Sequence, residues 1–182
     1  NQDEAALMRA LRIAKRRISL TIAIADISGA WDLNKVTTAL SGFADAATAA
    51  AARFVIRRAA ARGAFTLKNP DDPEIGSGFI VLGMGKLGAR ELNYSSDIDL
   101  ICLFDIAQMT HEDEDADADE LQPHVIRMTR TLAKLLDERT TDGYVFRVDL
   151  RLRPDPGSTP LAISVLAAET YYESLGQNWE RA

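Results

Sequence analysis

The sequence contains little cysteine or histidine, and it has no excess of positive charge. Cys102 is the single cysteine among 182 residues, which excludes an internal disulfide framework, and its apolar neighbours predict a small buried hydrophobe. The net charge of -6 gives no overall basic field for nucleic acid. There is no secretory signal and no run long enough to span a membrane. We therefore expect a cytoplasmic protein that binds neither nucleic acid nor membranes.

The composition is 47% hydrophobic and 26% charged, which is typical of one globular domain with an appended helical part. The chain begins without methionine and ends just after Trp179-Glu180-Arg181, so we expect a fragment of a longer protein. The connection KNPDDPEIGSG, residues 68–78, contains two prolines and two glycines and predicts a surface linker. It divides the chain into a helical segment, residues 1–67, and a catalytic domain, residues 68–182.

The helical segment is predicted from apolar residues at helical spacing over residues 5–27 and from an alanine-rich stretch over 39–61. A break is predicted over 26–32, and Gly63 ends the second helix. The first helix carries a basic cluster: Arg9, Arg12, Lys15, Arg16 and Arg17. We predict that this cluster is a solvated helix face, with a phosphate-bearing partner as the alternative.

The stretch FIVLGMGKLGARELNYSSDIDLICLFD, residues 79–105, predicts a buried strand, a glycine-rich turn, a short helix and a second strand. The backbone N–H groups of such a turn form a cradle for phosphate, because glycine allows close approach and positive φ. The candidate phosphate- or nucleotide-binding residues here are Gly83, Met84, Gly85, Lys86 and Ser96.

Asp97 and Asp99 stand two residues apart at the start of the second strand, so both carboxylates point to one side. Oxygen ligands at this spacing suit hard divalent cations.

Two alternatives to a metal site at this stretch stay open. The glycines match the G-x-G-x-x-G pattern of a dinucleotide site, for which Asp105 is the candidate acid. The Asp-x-Asp pair beside Ser95 and Ser96 is also typical of a turn cap.

A third carboxylate lies in YVFRVDLRLR, residues 144–153, where apolar and polar side chains alternate with period two. The pattern predicts a strand with one apolar face: Phe146, Val148, Leu150 and Leu152. The opposite face carries Arg147, Asp149, Arg151 and Arg153. Asp149 is either a third metal ligand ringed by guanidinium groups that bind phosphate oxygens or a member of a solvated salt-bridge ladder.

A glycine turn, an Asp-x-Asp pair and a third Asp on a later strand follow the order of parts in polymerase-β-type nucleotidyltransferases. GMGKLGARELNYSSDIDLICLF, DGYVFRVDLRLRP and the closing GQNWERA resemble the bifunctional glutamine synthetase adenylyltransferase/adenylyl-removing enzyme family, strongly over residues 78–182. The resemblance implies an α+β fold in which helices flank a small mixed sheet behind the N-terminal helical segment. It also implies two Mg²⁺ ions held by Asp97, Asp99 and Asp149.

The family has two related halves, of which the amino-terminal one removes AMP from an adenylylated tyrosine of glutamine synthetase by phosphorolysis and releases ADP. Tyr171-Tyr172 and the run from Gly176 to Arg181 resemble that removing half. The implied partners are adenylylated glutamine synthetase, phosphate, ADP and the P-II signalling protein. Gly88-Ala89 departs from the two glycines common in the family. Adenylyl transfer from ATP to a protein tyrosine and a non-catalytic regulatory module are the alternatives.

Several other features carry predictions of their own. The acidic run THEDEDADADE predicts a solvated loop, with a metal role for His111 as the alternative. Apolar spacing predicts a helix over 121–139 and another over 163–175, with Ser164 as the N-cap of the latter and its C-cap at the following glycine. Trp179 is predicted to be a core residue, with stacking on an adenine as the alternative.

Overall fold

The structure is a computed structural model that describes residues 3–109 and 118–176. Most of the acidic run, including His111, therefore lies outside the described residues. The same holds for Trp179 and for the closing GQNWERA beyond its first glycine. What the sequence suggests for these residues stays a prediction.

Two long helices form the first part of the chain. Helix α1 spans Glu4–Ile27 and helix α2 spans Leu33–Ala60. Each begins after an aspartate, Asp3 or Asp32, whose carboxylate accepts a backbone N–H of the first turn at 3.0 and 2.8 Å respectively. Gly29 has a φ of +71° in the reversal between them. The predicted helical segment and its break are confirmed.

Within the described residues, the second part builds a four-stranded sheet flanked by helices. Its elements are β1 (Phe79–Met84), α3 (Gly85–Gly88), β2 (Ile98–Phe104), α4 (Ala118–Asp137), β3 (Val148–Asp149), β4 (Ala162–Ser164) and α5 (Val165–Ser174). Strand β2 pairs antiparallel with β1 and parallel with both β3 and β4. The α+β fold with a small mixed sheet is confirmed, whereas β4 is an element that the sequence did not predict.

Helix α5 begins later than predicted because β4 takes up the residues before it. Its N-cap is Ser164, as predicted, and the Ser164 hydroxyl accepts the Ala167 N–H at 3.2 Å. Its C-cap is Leu175, one residue before the predicted Gly176. The apolar stripe predicted for α4 is confirmed, since five of its members are buried: Val125, Met128, Leu132, Leu135 and Leu136.

The strand predicted over 144–153 is wrong in length, since only Val148–Asp149 pairs with β2. Residues 145–146 are buried, and both of their N–H groups donate to the Leu136 carbonyl, at 2.8 and 3.1 Å. Beyond β3 the chain turns, because the Asp149 carboxylate accepts the Arg151 N–H at 2.8 Å. Hydrogen bonds to the end of α4 before the strand, and within the turn after it, therefore override its period-two pattern.

The short helix predicted between the glycine turn and β2 is misplaced. The glycine turn itself forms α3, and residues 89–97 are irregular. Arg90 adopts a left-handed φ of 61° there, which is incompatible with continuing the helix. Its guanidinium pairs with Asp45 of α2 at 3.2 Å.

The helices and the sheet share one hydrophobic core. Buried side chains of α1 and α2 belong to the same cluster as those of the sheet and α4. Phe43 of α2, for example, lies 5.7 Å from Phe146, measured between ring centroids. Cys102 is buried in this core as predicted, and burial raises the pKa of its thiol to about 11. The helical segment thus packs directly on the part that carries the three carboxylates, and a domain boundary at residue 67 stays a prediction.

Helix α2 is long and apolar enough to cross a membrane by length and composition alone. The expectation that no such stretch exists is therefore wrong on those two measures. In the structure, 61% of the apolar window of this helix is buried inside the protein. The same pattern is typical of a core helix.

The predicted solvated face of α1 is confirmed for Arg9, Arg16 and Arg17, which are exposed, but it is wrong for Arg12, whose side chain is fully buried. Its guanidinium donates to the carbonyl oxygens of Met8, Leu135 and Gly143 at 2.9, 3.0 and 2.8 Å, and also to that of Glu138. Three of these acceptors belong to the end of α4 and to the turn that leads to β3. The carboxyl end of a helix favours a cation, since the last carbonyls carry partial negative charge.

The neighbours of Arg12 in the basic cluster point to the same region. Arg9 and Arg16 pair with Asp142 on the surface, at 3.8 and 3.2 Å. The Lys15 ammonium lies 3.9 Å from the centroid of the Phe146 ring, and burial lowers the pKa of Lys15 to about 8. The cations of α1 therefore converge on the connection between α4 and β3.

We expect Arg12→Met to lower the free energy of unfolding by at least about 3 kcal/mol, because each buried carbonyl left without a donor costs about 1–3 kcal/mol. Urea denaturation measures the loss. Arg16→Met is the matched control, since it removes one exposed ion pair from the same helix and should cost at most about 1 kcal/mol. Equal losses of unfolding free energy in the two variants would contradict the proposal that buried Arg12 stabilises the contact between α1 and the end of α4.

Candidate active site

The pairing of β2 with β3 brings carboxylates from distant parts of the sequence together. In this parallel ladder Ile98 is the partner of Val148, and Asp99 is the partner of Asp149. Asp97 directly precedes β2, and the Ile98 N–H donates to the Arg147 carbonyl at 2.9 Å. Asp97, Asp99 and Asp149, here called the carboxylate site, therefore meet at one end of the sheet.

Asp97 and Asp99 accept no hydrogen bond or ion pair from any described residue. Asp97 is exposed and Asp99 is half-buried. Partial burial, and then the negative charges of Asp97 and Asp149, raise the pKa of Asp99 above its usual range. Mutual repulsion of this kind shows that the three side chains share one electrostatic environment.

The turn before β2 is closed by other groups than these aspartates. The Ser96 hydroxyl donates to Asn93 Oδ1 at 2.5 Å and accepts the Asn93 N–H at 3.3 Å. The interpretation of Asp-x-Asp as a turn cap is therefore wrong. Asn93 was missed at the level of sequence, although an Asn three residues before a Ser is a known signal for a locally closed turn.

Asp149 differs from the other two carboxylates because Arg151 is bound to it. Arg151 Nε lies 3.0 Å from Oδ1 and 2.9 Å from Oδ2, and Nη2 lies 2.5 Å from Oδ2. The hydrogen bonds from Arg151 are the main cause that lowers the pKa of Asp149. The side chain of Asp149 is 16% exposed and that of Arg151 is 82% exposed.

The donor set of the carboxylate site fits Mg²⁺ in its chemistry. All three residues offer carboxylate oxygens, which hard divalent cations prefer. Asp97 and Asp99 have no ion pair with a described residue, although the positive charge of Arg151 acts on Asp99 from its place on Asp149. Within residues 3–109 and 118–176, however, no three His, Cys, Asp or Glu side chains form a group that holds a metal as placed. Arg151 occupies both oxygens of the third carboxylate.

The glycine turn lies against the carboxylate site. Gly85 has a φ of +53°, and a Cβ at this position would lie 2.8 Å from Asp99 Oδ2. Met84, the preceding residue, is the Cα partner of Asp99 across β1 and β2. A Cβ on Gly88 would lie 2.7 Å from the Gly83 carbonyl oxygen, so those two glycines pack against each other. Position 85 favours glycine because its φ is positive and a side chain there would displace the Asp99 carboxylate.

Lys86 is exposed on α3, and its side chain makes no hydrogen bond or ion pair with a described residue, although its carbonyl accepts the Glu91 N–H at 2.8 Å. The structure thus places an unpaired cation beside the residue that contacts Asp99. The dinucleotide interpretation of this turn is wrong, because β1 and β2 are antiparallel and the dinucleotide fold requires parallel strands. Asp105, its candidate acid, caps the turn after β2 by accepting the Ala107 N–H at 3.0 Å.

The remaining arginines of the predicted polar face bind backbone carbonyls. Arg147 donates to the Ser95 carbonyl at 2.6 Å and so ties β3 to the loop before Asp97. Arg153 donates to the carbonyls of Leu150, Pro156, Thr159 and Pro160. These contacts hold the loops around the carboxylate site, and phosphate binding by Arg147 or Arg153 stays a prediction.

Comparison with known proteins places this geometry in a family. A family model described as glutamate-ammonia ligase adenylyltransferase matches residues 1–182. The chain is 52% identical over 180 residues to the bifunctional glutamine synthetase adenylyltransferase/adenylyl-removing enzyme of Bradyrhizobium diazoefficiens. It is 51% identical over 180 residues to proteins of the same description from Rhodopseudomonas palustris and Xanthobacter autotrophicus.

Each of these alignments covers 99% of the chain but 18% of the relative, so the chain spans less than a fifth of the length of the curated relatives it matches. The family model, by contrast, extends over the whole chain, including the helical segment. The resemblance seen in the glycine turn and the two aspartate motifs is confirmed. This chain belongs to the glutamate-ammonia ligase adenylyltransferase family of nucleotidyltransferases.

Proposed function

We propose that this chain carries the adenylyl-removing activity of its family, acting on an adenylylated tyrosine of glutamine synthetase. The names of these relatives include both adenylyl transfer and adenylyl removal. The sequence around Tyr171-Tyr172 supports the removing activity, because it resembles the amino-terminal half of the family. P-II signalling protein is proposed as a regulatory partner on the same resemblance.

The observation that carries the proposal is the convergence of Asp97, Asp99 and Asp149 across the β2–β3 ladder. We assign the three carboxylates to the binding of two Mg²⁺ ions, with Asp97 and Asp99 as the primary ligands. When bound, such ions polarise phosphoryl oxygens and stabilise the charge on attacking and leaving oxygens. A non-catalytic module has no need for three carboxylates that meet at one end of the sheet.

The chain's own residues position the reactants around these carboxylates. We propose that the turn from Gly83 to Lys86 binds phosphate oxygens through its backbone N–H groups and the Lys86 ammonium. Gly85 leaves room for the Asp99 carboxylate. Arg147 holds the loop before Asp97 in place through the Ser95 carbonyl.

The proposed reaction conserves atoms and charge in a single displacement, and it needs no covalent enzyme intermediate. An oxygen of hydrogen phosphate attacks the α-phosphorus of the adenylyl-tyrosine, and a P–O bond forms as the bond to the tyrosine oxygen breaks. The proton of hydrogen phosphate passes to the tyrosine oxygen. The products are ADP and the free tyrosine side chain, and the total charge is unchanged.

The direct test incubates the protein with adenylylated glutamine synthetase, Mg²⁺ and radiolabelled phosphate. We expect labelled ADP together with unmodified glutamine synthetase. Release of AMP would instead indicate hydrolysis. Transfer of AMP from ATP to unmodified glutamine synthetase, with no labelled ADP formed, would reverse the assignment in favour of the adding activity.

We expect Asp97→Asn and Asp99→Asn each to lower the phosphorolysis rate at least about 100-fold, because each removes a charge that stabilises the transition state through the metal. The melting temperature should change little. Asp137→Asn, at the exposed end of α4, is the control for loss of one negative charge. A rate near that of the wild type in either site variant, at saturating Mg²⁺, would remove the residue from the metal site.

We expect Gly85→Ala to lower turnover by about 100-fold, since displacement of a reacting group by about 1 Å has that effect. The added Cβ would meet Asp99 Oδ2 at 2.8 Å. Gly29→Ala is the matched control, because Gly29 has a similar φ of +71° and nothing within 4 Å of its Cβ position. Both variants should lose about 1–2 kcal/mol of stability, whereas only Gly85→Ala should lose activity.

A further inference from the structure

Asp149 lies in the carboxylate site with both of its oxygens occupied by one residue. The Arg151 N–H donates to Oδ1 at 2.8 Å, Nε contacts Oδ1 and Oδ2 at 3.0 and 2.9 Å, and Nη2 contacts Oδ2 at 2.5 Å. Asp97 and Asp99 have no such partner among the described residues. The Arg151 guanidinium therefore neutralises Asp149, which is the carboxylate that a divalent cation would need as its third ligand.

The side chain of Arg151 donates hydrogen bonds to no described residue other than Asp149, and it is 82% exposed. It can leave Asp149 without breaking any other described contact, and water then solvates the charge. The pair is bidentate and Asp149 is mostly buried, but the guanidinium stays in water, so solvation of the released charge offsets part of the cost of breaking it. The backbone bond from the Arg151 N–H is independent of the side chain, so it holds the carboxylate orientation after the guanidinium has left.

The neighbouring arginines, Arg147 and Arg153, donate to backbone carbonyls and not to carboxylates. Arg147 donates to the Ser95 carbonyl at 2.6 Å, and Arg153 donates to carbonyls of the following loop. Neither contacts a carboxylate of the site. Arg151 thus differs from both in having its charge paired with a candidate metal ligand.

We propose that Arg151 is an exchangeable counterion of Asp149, which holds this carboxylate while no divalent cation is bound and releases it when the cation binds. The inference rests on the metal site of the proposed function. Arg151 and the cation compete for the same lone pairs of the Asp149 oxygens. The affinity for the cation is therefore lowered by the free energy needed to break the Arg151–Asp149 ion pair. The released guanidinium then faces the site as a free donor for the phosphate group of a substrate.

The test measures Mn²⁺ binding by electron paramagnetic resonance, with Mn²⁺ standing in for Mg²⁺, and it needs no catalytic turnover. We expect Arg151→Gln to bind Mn²⁺ about fivefold more tightly than the wild type at low ionic strength. Arg147→Gln removes the same charge without releasing Asp149 and should not tighten binding. In an Asp149→Asn background, Arg151→Gln should change the affinity less than about twofold, because no pair is left to break.

Two results would overturn the exchange while leaving the metal site intact. The first is equal Mn²⁺ affinity in the wild type and Arg151→Gln. The second is an equal gain from Arg151→Gln in the Asp149→Asn background, since that would assign the effect to the general field of the arginine. Absence of Mn²⁺ binding by the wild type and by Arg151→Gln alike would overturn the metal site of the proposed function, and the exchange with it.

Discussion

The candidate site depends on a parallel ladder that is only two residue pairs long. It joins Ile98 to Val148 and Asp99 to Asp149, and it is the sole pairing between the strand that starts the site and the strand that completes it. So short a ladder has little stability of its own. Its position is set by what surrounds it: buried residues 145–146 bound to the end of α4, and the Arg147 bridge to the loop before Asp97.

Asp97, Asp99 and the glycine turn could be predicted from sequence because their spacing is short and local, whereas Asp149 was assigned to the same site through the order of motifs and the family resemblance. Asp97 and Asp99 share a strand face, and the glycine turn precedes them directly, so period-two geometry and the apolar run of β1 were sufficient. The extent of β3 and the existence of β4 could not be predicted. Both depend on pairing with β2 and on hydrogen bonds of residues 145–146, and such contacts between distant residues leave no periodic signal in the chain.

The arginines near Asp149 illustrate a second limit. The alternating pattern places Arg147, Arg151 and Arg153 on one predicted face, and nothing in the pattern distinguishes them. In the structure Arg147 donates to a carbonyl of the loop before Asp97. Arg151 pairs with the Asp149 carboxylate, and Arg153 donates to a carbonyl of the loop after β3. Charge patterns therefore identify the chemistry available at a site, whereas the partner of each charge depends on where the backbone turns.

Buried Arg12 links α1 to the connection between α4 and β3. Opening of α1 would leave a guanidinium and several carbonyls without partners, so α1, the end of α4 and that connection should exchange their amide hydrogens as one cooperative unit. The amides of residues 145–146, which lie just before the third carboxylate, would then report on a helix from the other end of the chain. The shape of the carboxylate site is in this sense a property of the whole fold, the amino-terminal helix included.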